Sequence, residues 1–222
     1  NNVDKIIAVS NATKDDIIKF YKIKEDKIKV IYEGVNPLPK ADIKPIINEP
    51  YILFVSTLEP RKNLINLIKA YNNLKSQGKI KHKLVIAGKT GWKYEETLKY
   101  IKNSDVVYLG YITDEQRHNL IKNAELFVFR SFYEGFGLPV LEAMSLGCPV
   151  ICSNTSSIKE ISENSAIHFD PYNVNDIENT IIKVLDDENL RIELSKKGLM
   201  NSRRYSWKKA AIETIDVYNS LM

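Results

Sequence analysis

Residues 125–153, "ELFVFRSFYEGFGLPVLEAMSLGCPVICS", alternate between strand-like and helix-like patterns. The short apolar runs at the two ends are typical of buried strands, and "LPVLEAMSLG" (138–147) is typical of a helix that ends at Gly147. A helix between two strands predicts a βαβ unit, in which both strands run parallel in one sheet. This unit decides the fold class, because parallel sheets are covered by helices on both faces.

The same alternation occurs before this stretch, without an internal repeat or a low-complexity segment. Strand patterns lie at 51–55, 83–87 and 106–110, and helix patterns lie at 63–75, 94–102 and 114–124. Together they predict an α/β fold with a doubly wound, Rossmann-like parallel sheet.

The two ends of the chain differ from this middle part. Residues 1–33 predict a strand, a helix and a strand, and residues 34–50 contain four prolines in a linker-like stretch. Three helix patterns follow one another near the C-terminus, at 174–187, 188–203 and 206–221. We therefore expect three parts: the remnant of a preceding domain with a linker at 1–46, a central domain at 47–205 and a crossover helix at 206–222.

The composition is typical of a soluble globular protein, with 44% hydrophobic and 27% charged residues. No stretch approaches the roughly 18 apolar residues of a membrane-spanning helix, and the first residues do not form the pattern of a secretory signal. The net charge is +4, and lysines are interleaved with acids. This favours a solvated surface over a nucleic-acid-binding face, and it is compatible with weak attraction to anionic membranes or phosphates.

The cysteines and histidines suggest packing rather than chemistry. Cys148 and Cys152 flank one predicted strand, where their α-carbons would lie roughly 13 Å apart, too far for a disulfide. We expect reduced core cysteines and a cytoplasmic location. His82, His118 and His168 are expected to have surface or packing roles.

Ligands of open parallel sheets bind at the carboxyl ends of the strands, so the loops there are candidate sites. The loop after the first sheet strand contains Arg61 and Lys62, two cations that can clamp a phosphate beside a helix start. Gly88, in "AGKTGW", allows close approach of a ligand or forms a turn. Main-chain groups at Tyr111 and Ile112 would lie near a planar base. Taken alone, each pattern is also typical of exposed surface or an ordinary turn.

The loop after the fourth strand, "EGFGLPVLEAM", contains two acids. Gly135 and Gly137 predict a sharp turn that presents successive N–H groups, and Pro139 suits the first turn of the following helix. Glu134 would reach into the cleft as an acceptor for sugar hydroxyls or as a stabiliser of positive charge, and Glu142 lies on the helix. The alternative is a tight turn followed by a surface acid.

These two glutamates and the residues between them resemble the E-x(7)-E motif of retaining GT-B glycosyltransferases of the glycosyltransferase-4 (group 1) type. The resemblance covers nearly the whole chain. "VSNATKDDI" is similar to the segment that leaves the family's N-terminal domain, "IYEGVN" to the entry into its C-terminal domain, "EPRKN" to its donor-phosphate loop and "SWKKAAIETIDVY" to its closing helix. It implies the C-terminal, donor-binding half of a GT-B fold with a helical C-terminal extension.

The resemblance also implies roles for single residues. Arg61 and Lys62 would contact the donor diphosphate, Glu134 the transferred sugar and Glu142 the ribose hydroxyls. The other implied donor-binding positions are Gly88, Tyr111, Ile112, Gly135, Phe136, Gly137 and Leu138. The implied reaction transfers a hexose from a nucleotide diphosphate sugar to a hydroxyl with retention, without a cofactor or an obligatory metal.

Further partners follow from the same resemblance. The donor would be GDP-mannose or a UDP-sugar, and the "EPRKN" wording favours GDP-mannose. The acceptor would be a glycan or a lipid-linked hydroxyl, bound by an N-terminal domain that we expect this chain to lack. We expect the chain alone to bind donor weakly with little turnover, and the full enzyme to be cytoplasmic, with peripheral association at the membrane face as an option. The apolar stripe of the last helix, which includes Trp207, Ile212 and Tyr218, should face the missing domain and leave an exposed patch.

Two positions depart from the family pattern. Ser56-Thr57 stands where many relatives have Gly-Arg, so a phosphate arginine is missing unless Arg61 replaces it, and Glu33 stands where Asn is common. One rival hypothesis is a stand-alone nucleotide-sugar-binding or regulatory module, which the sequence upstream of Asn1 would test. A second rival, a Rossmann oxidoreductase, is disfavoured because "STLEPRKN" follows the first sheet strand without a G-x-G-x-x-G pattern.

Overall fold

The computed structural model of the protein describes residues 3–36 and 44–222, so residues 37–43 of the predicted linker lie outside the described residues. The strands are β1 (Ile6–Ala8), β2 (Ile28–Val30), β3 (Tyr51–Val55), β4 (Lys83–Ala87), β5 (Val106–Tyr108), β6 (Leu126–Phe129), β7 (Val150–Ser153) and β8 (Ile167–Phe169). The helices are α1 (Asn11–Tyr21), α2 (Leu64–Ser76), α3 (Glu95–Lys102), α4 (Asp114–Asn123), α5 (Leu138–Ser145), α6 (Ser156–Ser162), α7 (Val174–Leu185), α8 (Glu188–Ser202) and α9 (Trp207–Asn219).

Six of these strands form one parallel sheet in the order β5-β4-β3-β6-β7-β8. The chain builds outward from β3 through β4 and β5, and then returns to the other side of β3 with β6. This reversal makes the boundary between β3 and β6 the topological switch point, where open α/β sheets bind ligands. The predicted doubly wound, Rossmann-like fold is confirmed.

The core consists of two apolar layers, one on each face of the sheet. Alternate residues of β3 supply both layers, because successive strand residues point to opposite faces. Leu53 belongs to the layer under α4, α5 and α6, whereas Ile52 and Phe54 belong to the layer under α2 and α7. All five residues of β3 are buried, as the continuous apolar run predicts for a central parallel strand.

The N-terminal segment forms a separate two-stranded parallel sheet of β1 and β2, with α1 between them. Helix α1 is fixed at its start. The Ser10 side chain caps it, and Glu160 of α6 accepts hydrogen bonds from the backbone N–H groups of Asn11, at 2.9 Å, and Ala12, at 3.1 Å. These N–H groups have no partner within the helix and carry partial positive charge, so a carboxylate there stabilises the junction between α1 and α6.

The last helix returns to this N-terminal segment. Ala210 and Val217 of α9 pack against Ile31, which follows β2. The predicted apolar stripe lies on the other side of α9, where Ile215 and Tyr218 are exposed. The packed face of the helix therefore uses the smaller residues Ala210 and Val217. The expected exposed apolar patch is confirmed, and its covering by a further domain stays a prediction.

The cysteines and histidines have the expected packing roles. Cys148 and Cys152 are both buried free thiols, although Cys148 precedes β7 instead of lying in it. Burial raises the pKa of Cys152 to about 12, so the thiol stays neutral. His118 is buried on α4, His82 contacts Glu125 and His168 contacts Ser162.

The attachment of α9 can be tested with a matched pair of substitutions. Val217→Asp should loosen the helix, because it places a carboxylate in the buried contact with Ile31. Ile215→Asp is the control, since that side chain is 54% exposed on the same helix. Amide hydrogen exchange in α9 should accelerate about tenfold or more in the first variant and stay unchanged in the second. The same exchange rate in both would contradict this packing.

Candidate functional site

The loops that follow β3 and β6 meet at the switch point of the sheet. Two donors hold the carbonyl of Arg61 in the β3 loop: the backbone N–H of Phe132, at 2.9 Å, and the hydroxyl of Ser131, at 3.2 Å. The buried guanidinium of Arg130 also donates to the carbonyl of Asn63, at the end of the same loop. The β3 loop is therefore fastened directly to the β6 loop, which fixes the separation of the side chains that they carry.

A carboxylate and two cations form the centre of this junction. Glu134 contacts Nη1 of Arg61 through Oε2, at 2.7 Å, and Nζ of Lys62 through Oε1, at 2.5 Å. Lys62 is 7% exposed, and its ammonium lies 5.1 Å from the centre of the Phe129 ring. The structure thus brings together the three residues for which catalytic roles were expected.

Two opposing effects act on the pKa of Lys62. Burial lowers the pKa of the Lys62 ammonium, while the Coulomb attraction and the hydrogen bond of Glu134 raise it. Glu134 is therefore the group that favours a positive charge on Lys62 at this depth. Arg61 is more exposed, and it also donates to the carbonyl of Tyr133, at 2.9 Å, which holds it along the β6 loop.

The backbone of the β6 loop is held by side chains that the sequence interpretation missed. The hydroxyl of Ser157, on α6, lies 2.8 Å from the carbonyls of both Glu134 and Phe136. The hydroxyls of Ser10, at 2.7 Å, and Thr13, at 3.1 Å, contact the carbonyl of Gly135. These contacts join three segments that are far apart in the sequence, and no local motif indicates them.

The two glycines of this loop are not equivalent. Gly137 has a φ of +119°, and a β-carbon there would lie 2.6 Å from Cδ1 of Ile158. Gly135 lies outside the left-handed region, and its nearest neighbours would be 3.8 and 3.9 Å away. The sharp turn thus depends on Gly137, and the expectation that both glycines are needed for it was wrong. Pro139 lies in the first turn of α5, as predicted.

Phe136 and Leu138, two further expected donor-binding positions, lie on either side of Gly137. The ring of Phe136 is buried between Tyr32 and Tyr205, with centroids 6.1 and 5.8 Å away. Leu138 is the first residue of α5, which has no side-chain cap at Gly137. The N–H of Leu138 is a donor available to an anion, whereas the next residue is a proline and the N–H of Val140 donates to the carbonyl of Gly137, at 3.0 Å.

A cleft of about 330 Å³ opens beside this turn and contains the remaining expected positions. Its lining includes Ser56, Thr57, Gly88, Lys89, Tyr111, Ile112, Asp114, Arg117, Pro139 and Glu142. Gly88 is needed for the backbone itself, because a β-carbon would lie 1.9 Å from the carbonyl oxygen of Ser56. Tyr111 is 76% exposed at the rim, so its ring is available to a ligand in the cleft.

Glu142 is the less exposed of the two acids that line this cleft. Burial raises the pKa of its carboxyl, the charge of Arg117 opposes that rise, and Asp114 adds to it. Nη1 of Arg117 lies 3.3 Å from Oε1 of Glu142, and Nη2 lies 3.2 Å from Asp114. Arg117 was missed by the sequence interpretation, because its contact with Glu142 joins two separate helices.

Residues 3–36 and 44–222 contain no group of three His, Cys, Asp or Glu side chains that could hold a metal ion. Within the same residues, every helix is too short or too polar to cross a bilayer.

Comparison with protein families identifies the chain. The family model described as "Glycosyl transferases group 1" matches residues 40–199. The chain belongs to this family. A second model, "Glycosyltransferase Family 4", matches residues 1–37, the segment that contains β1, α1 and β2. The junction between α1 and the β6 loop is therefore a contact between two segments that match different family models.

Similar proteins extend this result. The chain is 32% identical over 230 residues to O-antigen chain mannosyltransferase B of Escherichia coli, covering 97% of this chain and 60% of that protein. It is 33% identical over 240 residues to the uncharacterized glycosyltransferase MJ1607 of Methanocaldococcus jannaschii, covering 98% of this chain and 60% of that protein. The chain thus spans about 60% of the length of these group 1 relatives.

Two solved structures share the fold. A glycosyltransferase from Rickettsia africae has a TM-score of 0.86 at 22% identity, with 98% of this chain and 63% of that chain covered. HepE from Anabaena, in complex with UDP and glucose, has a TM-score of 0.85 at 20% identity, with 98% and 64% covered. The predicted Rossmann-like half of a GT-B fold agrees with these structures.

The unequal roles of the two glycines can be tested by stability. Gly137→Ala should lower the free energy of unfolding by about 2 kcal/mol or more, because it combines a positive φ with a contact against Ile158. Gly135→Ala should change it by less than about 1 kcal/mol, since the added methyl group meets only ordinary contacts. Urea unfolding of both variants measures the difference. Equal losses would contradict the assignment of the turn to Gly137.

Proposed function

We propose that this chain is the C-terminal, donor-binding domain of a retaining hexosyltransferase that uses a nucleotide diphosphate sugar. One observation carries the proposal: Arg61 and Lys62 meet Glu134 at the switch point, and an uncapped helix start connects them to the cleft that contains Glu142. A donor of this class has a diphosphate between a sugar and a ribose. The arrangement offers groups for all three parts in that order.

The diphosphate would lie over Arg61 and Lys62, with the N–H of Leu138 at the start of α5 on its other side. Glu134, bound to both cations, would face the transferred sugar. Glu142 would accept hydrogen bonds from the ribose hydroxyls. The base would occupy the part of the cleft near Gly88, Tyr111 and Ile112, where Tyr111 can cover a planar ring.

The chemistry proposed for these residues is electrostatic. The bond that breaks joins the anomeric carbon to the diphosphate, and negative charge develops on the departing oxygen. Arg61 and Lys62 would stabilise that charge from fixed positions, since the β3 loop is fastened to the β6 loop before any donor arrives. Burial strengthens the effect of Lys62, because charge interactions are stronger where water is excluded.

The sugar, the acceptor and the location are proposed on the same basis. The Escherichia coli relative is named as a mannosyltransferase, which favours GDP-mannose as the donor, and the UDP in the HepE structure keeps a UDP-sugar as the alternative. A glycan or lipid-linked acceptor would be bound by a further domain at the cytoplasmic membrane face. We also propose the division into 1–46, 47–205 and 206–222. A stand-alone binding module is the less favoured alternative, since the relatives that the chain matches are named as glycosyltransferases.

The division of labour between the glutamates can be tested in the full-length protein that carries this chain. Glu134→Ala should reduce transfer by about 100-fold or more while largely sparing nucleotide binding, because the groups proposed for the ribose and the base lie in the separate cleft. Glu142→Ala should chiefly weaken nucleotide binding. Glu193→Ala, which removes an exposed acid on α8, is the control. Equal binding losses in the two site variants would refute this division.

Thermal unfolding with added nucleotides tests the donor class in the chain itself. A ligand at 100 times its Kd stabilises the native state by about 2.7 kcal/mol, which raises the Tm of a chain of this size by about 5–10 °C. GDP should give the largest shift among GDP, UDP and ADP. A larger shift with UDP would favour the UDP-sugar alternative, and no shift with any of them would contradict donor binding.

A further inference from the structure

We propose that Arg117 is a positioning residue for Glu142: it holds one carboxylate oxygen, so that the other is presented to the ribose of the donor. The inference rests on the proposed function of Glu142 and deepens it. It concerns how the nucleotide end of the site is oriented. Neither the motif nor the family comparison assigns a role to Arg117.

The geometry is that of a held carboxylate. Nη1 of Arg117 lies 3.3 Å from Oε1 of Glu142, and both residues line the same cleft. Among the residues that the structure describes, none donates to the second oxygen of Glu142. A carboxylate with one oxygen on a fixed cation has its remaining acceptor sites directed elsewhere, and here the open direction is the cleft.

Arg117 is itself well anchored. It lies in the first turns of α4, where a capping box between Thr113 and Gln116 fixes the start of the helix. Its Nη2 contacts Asp114 at 3.2 Å, so two carboxylates hold the guanidinium. The Arg117 and Glu142 side chains are 31% and 17% exposed, so this contact is more protected than an ordinary surface ion pair. A guanidinium carried by a rigid helix turn can fix the orientation of the carboxylate that it contacts.

The charges around Glu142 make the role of Arg117 measurable. Burial and Asp114 both raise the pKa of the Glu142 carboxyl, and Arg117 is the group that lowers it. Lys89 and Tyr111 are the other titratable side chains that line the cleft, and α5 carries no other charged residue. Without Arg117, the pKa of Glu142 should rise. The carboxyl then stays protonated over a wider pH range and accepts hydrogen bonds less well.

Loss of Arg117 should move the pH dependence of nucleotide binding to higher pH. In the wild-type chain, nucleotide affinity should weaken as the pH falls through the pKa of Glu142. In Arg117→Met, the same loss should begin at a higher pH. A shift of one pKa unit changes the ionised fraction by up to about tenfold on the acidic side. The affinity difference between the two proteins should therefore be largest in acid and small in base.

The experiment measures the Kd of GDP and of UDP by calorimetry between pH 5.5 and 8.5, for the wild-type chain and five variants. Arg117→Met should weaken binding more at the acidic end of this range than at pH 8.5, by up to about tenfold for a shift of one pKa unit. Arg117→Lys should recover most of the loss, because it restores the charge. Asp114→Asn should move the acidic loss to lower pH, since it removes the nearby like charge. In Glu142→Gln, adding Arg117→Met should have no further pH-dependent effect.

Each other outcome overturns the proposal in a distinguishable way. A loss in Arg117→Met that is equal at every pH would show that Arg117 contacts the donor directly. No loss at any pH, with the variant shown to be folded by circular dichroism, would reduce the contact to a surface ion pair. If the wild-type chain binds neither nucleotide, the proposed function itself fails, which is a different result from wild-type binding that is indifferent to Arg117.

Discussion

The site depends on one buried contact, in which the carboxylate of Glu134 holds the ammonium of Lys62. An ammonium removed from water costs several kcal/mol unless an opposite charge and further contacts offset that cost. Glu134 and the ring of Phe129 supply the offset. Because these groups come from the loop of one strand and the end of another, the contact requires β3 and β6 to be neighbours. The strand order meets that requirement, and the hydrogen bonds on the carbonyl of Arg61 hold it in place.

The charge balance of this contact explains how a cationic site can exist before a ligand binds. Two cations, Arg61 and Lys62, share Glu134, and Arg61 also contacts Glu59 at 3.4 Å. The acids therefore hold both cations in place and offset the repulsion between them. A diphosphate brings further negative charge to groups that are already in position, so little reorganisation is needed when it binds. Such preorganisation is the main way in which fixed charges accelerate the loss of an anionic leaving group.

Sequence reasoning found the features that follow from local pattern and strand order. Parallel strands end at one edge of the sheet, and so the residues after β3 and β6 were expected at the same edge, whereas the adjacency of these two strands is seen in the structure. It did not find Arg117 or Ser157, because their contacts depend on how helices pack against one another. Helix α6, which carries Ser157, is short and mostly polar, and no periodicity indicated it. Gly135 shows the opposite error. Its residue type suggested that the turn depends on a glycine there, but its φ lies outside the left-handed region.

The N-terminal segment directly contacts the loop that carries Glu134. Ser10 and Thr13 hold the carbonyl of Gly135, and the hydroxyl of Tyr133 contacts Asp16 at 2.7 Å. These three contacts lie on one helix start and flank Glu134 on both sides. A rotation of α1 would have to break them or move the backbone of Glu134 with it. The position of the Glu134 carboxylate is thus coupled to α1, and a movement of the segment that contains α1 would be transmitted to the loop that carries Glu134.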